Sequence, residues 1–91
     1  MQIDSQFLSK PTRNAWHLFC AAKQAGLSQP ISKPQLAQDS GLTPGEVRAA
    51  IAWLETQQFI SKSYGYLGNK RGVSLYITFN DNAKEFFKNV K

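Results

Sequence analysis

The chain has 91 residues, enough for one small domain, and 11 basic against 6 acidic residues give a net charge of +5. No apolar run is long enough to span a bilayer, which excludes a transmembrane protein. The first ten residues include Asp4 and lack the apolar stretch of a signal peptide, so we expect a cytoplasmic protein. The positive balance favours a polyanionic partner such as nucleic acid, because basic side chains release its counterions on binding.

The inventory of reactive side chains argues against catalysis. One cysteine, Cys20, excludes an internal disulfide, and one histidine, His17, leaves no metal cluster. The acidic residues are scattered, without a pair at a spacing that suggests acid–base chemistry. We therefore expect neither an enzyme nor a metal or cofactor requirement.

The first periodic segment predicts a helix over residues 11–25. Four apolar residues at spacings of three and four form one stripe: Ala15, Leu18, Phe19 and Ala22. Ser9 or Thr12 can cap its start, and Gly26 is a natural stop. Trp16 is expected at the edge of the stripe.

Two further helix starts follow closely. After Ile31, which fits a minimal strand or a core position, Ser32 is expected to cap a second helix, with Gln35 bonding back to the cap amide. Gly41 suits the left-handed conformation that ends a helix with a sharp turn. This second helix is therefore only about two turns long.

Thr43, Pro44 and Glu46 predict a capping box at the start of the third helix. Its inward stripe is predicted to be Val47, Ala50, Ile51 and Leu54. Two helices joined by a tight glycine turn form the helix-turn-helix pattern.

From residue 59 to residue 79 the apolar period changes from 3.6 to 2, which predicts a β-hairpin. In its second strand four inward residues alternate with polar ones: Val73, Leu75, Ile77 and Phe79. The first strand carries Lys62, and the turn between the strands has the basic tip Asn69, Lys70 and Arg71. Asn80 or Asp81 is then expected to cap a last helix.

These features resemble the winged helix-turn-helix superfamily of DNA-binding domains over residues 11–79. The resemblance rests on "LAQDSGLTPGEVRAAIAWLETQQFI" followed by "SKSYGYLGNKRGVSLYITF". The matching positions are Leu36–Ala37, Gly41–Leu42–Thr43, Val47, Leu54–Glu55 and Phe59–Ile60. The pattern is similar to MarR-type regulators and equally to the winged-helix modules of plasmid and phage replication proteins. Gln57–Gln58 departs from it, because a glycine often stands there.

The resemblance implies an α+β winged helix-turn-helix fold: an N-terminal extension over 1–10, a three-helix core with a β-hairpin wing over 11–79, and a C-terminal helix over 80–91. In this family the third helix enters the major groove of double-stranded DNA and the wing contacts its backbone or minor groove. The DNA-binding residues expected here are Lys33, Thr43, Gly45, Arg48, Ala49, Ala52, Lys62, Asn69, Lys70 and Arg71.

The outward face of the third helix is poorly equipped for reading bases, since Arg48 is its one bidentate donor in the first turns. Small residues would let the helix sit deep in the groove. Alternatively, Gly45, Ala49, Ala52 and Trp53 form a docking face for another protein.

The C-terminal helix presents Phe86, Phe87 and Val90, which either fold back onto the core or form a dimer interface. We expect a bacterial or mobile-element homodimeric transcriptional regulator that binds specific DNA sequences. One alternative is an accessory factor for the replication or partition of a plasmid or phage. Another is a winged-helix module that binds other proteins. A larger protein assembly is a further possible partner.

Overall fold

The computed structural model describes residues 3–65 and 73–90, and these residues form a mixed α+β fold. The described residues form four α-helices and a three-stranded antiparallel sheet, which confirms the α+β part of the predicted fold. The elements are a short 3-10 helix Ser5–Phe7, α1 Lys10–Ala25, β1 Ile31–Ser32, α2 Lys33–Ser40, α3 Pro44–Thr56, β2 Ile60–Gly65, β3 Ser74–Phe79 and α4 Asp81–Phe87. Within the described ranges, none of the helices has the length and apolar character needed to cross a membrane.

Helix α1 runs through the centre of the fold and confirms the predicted apolar stripe. Its four stripe residues are all buried: Ala15, Leu18, Phe19 and Ala22. Ser9 is the N-cap residue, but its hydroxyl lies 2.8 Å from the hydroxyl of Thr12 and bonds to it rather than to a backbone amide. Trp16 is partly buried at the edge of the core, as its place beside the stripe predicts.

Strand β1 and helix α2 follow the predicted order, with one correction at the cap. Ile31 is buried and pairs with Ile77 of β3, while the Ser32 hydroxyl accepts a hydrogen bond from the Gln35 amide at 3.3 Å. The expected return bond from the side chain of Gln35 is not made. That side chain instead donates to Asp39 at 2.8 Å, one helical turn further along α2.

A tight turn at Gly41 separates α2 from α3. Gly41 has φ 73°, in the left-handed region that a glycine adopts without steric cost. The capping box that begins α3 is complete: the Thr43 amide donates to Glu46 at 3.0 Å, and the Glu46 amide donates to the Thr43 hydroxyl at 3.2 Å. The buried residues of α3 are those predicted: Val47, Ala50, Ile51 and Leu54.

The three strands lie in the order β1-β3-β2, with both pairings antiparallel. Ile77 and Phe79 of β3 are buried, as the alternation predicts. The inclusion of Val73 in that buried set is wrong, because Val73 precedes β3 and is 55% exposed. Burial falls along β3 from Phe79 and Ile77 to the half-buried Leu75. The core therefore ends before Val73, which has no buried surface to pack against.

Helix α4 begins with the Asn80 side chain accepting a hydrogen bond from the Ala83 amide at 3.0 Å. Its Phe87 is 2% exposed and stacks on Phe19 of α1 with ring centroids 4.9 Å apart. Phe86 is half-buried and contacts Trp53 and Phe59. The last helix therefore folds back onto the core of its own chain, which was one of its two predicted arrangements.

The chain leaves α3 through a left-handed residue that is not glycine. Gln58 has φ 60°, and its carbonyl accepts a hydrogen bond of 2.6 Å from the Asn80 side chain. We expect Gln58→Gly to raise the free energy of unfolding by about 0.5 kcal/mol, since relief of left-handed strain slightly exceeds the added freedom of the unfolded chain. Urea unfolding followed by circular dichroism measures the change.

Gln57→Gly is the matched control, because Gln57 has φ −80° and is also exposed. A glycine there gains nothing in the folded state and should lower the free energy of unfolding by about 0.5–1 kcal/mol. Equal effects of the two substitutions would contradict the role assigned to the Gln58 backbone.

Candidate functional site

The exposed face of α3 holds four of the residues predicted to bind a ligand. Gly45, Arg48, Ala49 and Ala52 are all exposed, on the side of α3 opposite its buried stripe. This separation follows from the helical period, since these residues lie within about one third of a turn of each other around the axis. Thr43, also exposed, stands at the start of the same helix.

Arg48 is the main polar group on this face, and its guanidinium makes no ion pair or hydrogen bond with residues 3–65 or 73–90. Lys33 is the first residue of α2 and is half-exposed. Its ammonium also has no ionic partner in the described part of the chain. Both cations are therefore available to an anionic ligand without breaking an existing bond.

A cleft of about 440 Å³ borders the N-terminal half of this face, where α1 packs against α3. Its lining residues are Lys10, Pro11 and Asn14 from α1 and Thr43, Gly45, Glu46 and Ala49 from α3. Asn14 is only 6% exposed, and its amide has no hydrogen-bond partner among the described residues. None of the described side-chain polar atoms is both fully buried and unbonded, so the Asn14 amide keeps some contact with solvent beside the cleft.

Sequence reasoning missed Lys10 and Asn14. Only the packing of α1 against α3 brings them beside Gly45 and Ala49, and no local motif records that packing. Asn14 did carry a signal in the sequence. It lies four residues before Leu18, so it falls beside the apolar stripe of α1 and not on the solvated face.

The charges of the cleft are mixed. Hydrogen bonds from the backbone and side chain of Thr43 lower the pKa of the Glu46 carboxyl, and the nearby Lys10 lowers it further. Glu46 therefore stays ionised at neutral pH. Lys10 supplies the positive charge on this flank of α3, and the Glu46 carboxylate keeps the capping box formed.

The opposite flank of α3 is joined to β2 by an ion pair. The Lys62 ammonium lies 2.6 Å from the Glu55 carboxylate, and this hydrogen bond raises the pKa of Lys62. Lys62 faces Ile77 across the β2–β3 pairing, so it lies on the core-facing side of the strand and reaches α3. The predicted cation of the first strand is thus present, but a carboxylate already neutralises it.

Three predicted residues, Asn69, Lys70 and Arg71, lie outside the described residues. Of the predicted dimerisation residues, Phe87 is buried within its own chain, whereas Phe86 and Val90 are half-buried. Phe87 therefore offers no exposed surface to a second copy.

In residues 3–65 and 73–90 no group of three or more His, Cys, Asp or Glu side chains could hold a metal ion. Comparison of the chain with protein-family models, with curated proteins and with solved structures finds no match. The case for a function therefore rests on the geometry of the chain itself.

Proposed function

We propose that the chain is a winged-helix protein that binds double-stranded DNA. In this proposal α2 and α3 form the helix-turn-helix, α3 enters the major groove, and the β2–β3 hairpin is the wing. The residues expected to contact DNA are Lys33, Thr43, Gly45, Arg48, Ala49 and Ala52 of the two helices, Lys62, and the predicted wing tip Asn69, Lys70 and Arg71.

The observation that carries the proposal is the composition of the exposed face of α3. Gly45, Ala49 and Ala52 project little from the helix, so its backbone can approach the floor of a major groove about 12 Å wide. Arg48 stands on that face without a partner among the described residues and can bond a guanine edge or a phosphate. Lys10 and Lys62 lie on the two flanks, where the phosphate backbones of a groove would pass.

A protein-docking role for the same face is less well supported, because it was expected to use Trp53 as an anchor. Trp53 is half-buried against the rings of Phe59 and Phe86 of its own chain, with centroids 5.8 and 6.1 Å away. What remains exposed is mostly backbone and methyl groups. Such a surface lacks the large aromatic anchors that supply most of the energy of a protein interface.

We further propose that the protein acts as a homodimeric transcriptional regulator in the cytoplasm. Phe86 near the end of α4 is half-buried, and its exposed edge is available to a shared interface. A dimer would read two half-sites about one DNA turn apart. A replication or partition factor would use the same contacts at an origin, so the genomic position of the binding site separates the two roles.

The direct test is a fluorescence-anisotropy titration of a labelled random-sequence duplex at several salt concentrations. With about four phosphate contacts, we expect affinity to fall about 100-fold between about 50 and 200 mM salt. Selection of binding sites from random DNA then reports the preferred sequence and any half-site symmetry. Absence of binding at low salt, or affinity that does not change with salt, would refute the proposal.

A further inference from the structure

A second cavity, of about 310 Å³, lies between α1 and the end of α4. Its α1 residues, from Trp16 to Lys23, point nearly opposite to Lys10 and Asn14, because each residue of a helix turns about 100° around the axis. The cavity is therefore on the other side of α1 from the exposed face of α3. Neither the proposed DNA contacts nor the helix caps use it.

The floor of this cavity is apolar and well fixed. Trp16 and Phe19 of α1, Leu27 and Val90 contribute to it. The chain ends hold Val90 in place, since a parallel bridge pairs it with Ile3 and the Ile3 amide donates to the carbonyl of Asn89. The cavity volume is at the lower end of the range for small-molecule sites, about 300–1,000 Å³, so a ligand here must be small.

Three lysines surround the floor: Lys23 from α1 and Lys84 and Lys88 from α4 and its end. No Asp or Glu is among the described lining residues. Lys23 has no ion pair with the described residues. The Lys84 ammonium lies 3.8 Å from the exposed carboxylate of Asp81, and the Lys88 ammonium donates a long hydrogen bond of 3.4 Å to the exposed carboxylate of Glu85. Such exposed pairs contribute little and exchange readily for a better anion.

We propose that this cavity binds a small aliphatic carboxylate, with its hydrocarbon chain on the Trp16–Phe19 floor and its carboxylate among the three lysines. Charge complementarity selects this class: a neutral hydrocarbon leaves the lysines unused, and a fully polar anion leaves the floor in contact with water. Cys20, which also lines the cavity, fits this chemistry because burial raises the pKa of its thiol and keeps it neutral.

Isothermal titration calorimetry with octanoate, and with octan-1-ol as the neutral analogue, tests the proposal without DNA. We expect saturable one-to-one binding of octanoate, and binding of octan-1-ol that is about tenfold weaker because it lacks the charge-assisted bonds to lysine. Amide NMR shifts induced by octanoate should cluster in residues 16–27 and 84–90.

Lys23→Gln and Lys10→Gln form a matched pair of variants, since both remove one lysine from α1 but on opposite faces. Lys23→Gln should weaken octanoate binding about fivefold, and Lys10→Gln should leave it unchanged. Cys20→Phe, which fills the cavity, should abolish binding of both compounds.

Equal affinity for octanoate and octan-1-ol, equal effects of the two lysine variants, or NMR shifts outside the cavity would each overturn the assignment. Octanoate binding that disappears at protein concentrations where sedimentation shows a dimer would overturn it too, because a second copy would then cover the cavity. Because these measurements contain no DNA, their outcome is independent of the DNA-binding proposal.

Discussion

Phe87→Ala is expected to lower the free energy of unfolding by about 3–5 kcal/mol, the range for removing a fully buried aromatic ring. The Phe87 ring stacks on Phe19 at 4.9 Å and meets Phe59 and Phe86 edge-on at 6.2 and 5.0 Å. It thereby joins α4 both to α1 and to the residue that precedes β2. Alanine would leave a cavity that α4 cannot fill, because the Asn80 cap fixes its start. Urea unfolding measures the loss.

Phe86→Ala is the control for this prediction. Phe86 is half-buried and contacts Trp53 and Phe59 at the surface of the same aromatic cluster, so its loss should cost clearly less than that of Phe87. Measuring both substitutions at several protein concentrations also separates a role in core packing from a role in dimerisation. A Phe87 effect on stability that depends on protein concentration would contradict the intrachain role and favour an interface between copies.

The parts of the fold that could be predicted are those set by residues close in sequence. The Thr43–Glu46 capping box spans three residues, and the Gly41 turn depends on one backbone conformation, so each signal lies within a single short motif. The buried stripe of α3 was equally local, because a helix repeats its face every three or four residues. These signals were enough to fix the starts of the four helices within about one residue, but the last helix, expected over 80–91, ends at Phe87.

The parts that could not be predicted depend on distant pairings. The Lys62–Glu55 ion pair arises from how β2 leaves α3 and aligns with β3, which no motif of either segment encodes. The Gln35 side chain could turn back to the cap amide of Ser32 or forward to Asp39 on the next turn. It turns forward and donates a hydrogen bond to Asp39. Val73 had the right period, but periodicity does not report where the core ends.

Arg48→Ala is expected to weaken binding to the preferred DNA sequence by about 10- to 100-fold, the value of one bidentate base contact. Binding to random DNA should weaken much less, because the other cations still attract phosphates. This difference follows from the exposed face of α3, where small residues surround Arg48 and offer no second side chain for bidentate base contacts. Anisotropy titrations on selected and random duplexes measure both values.

Two further substitutions make this prediction specific. Arg48→Lys keeps the charge but loses the planar fork, so it should retain random-DNA affinity and still lose discrimination. Glu55→Gln removes the carboxylate that holds Lys62 and should strengthen binding to all sequences about fivefold at low salt, since a freed ammonium replaces a neutralised one. If Arg48→Ala left both affinities unchanged and Glu55→Gln changed nothing, the exposed face of α3 would not be the surface that meets DNA.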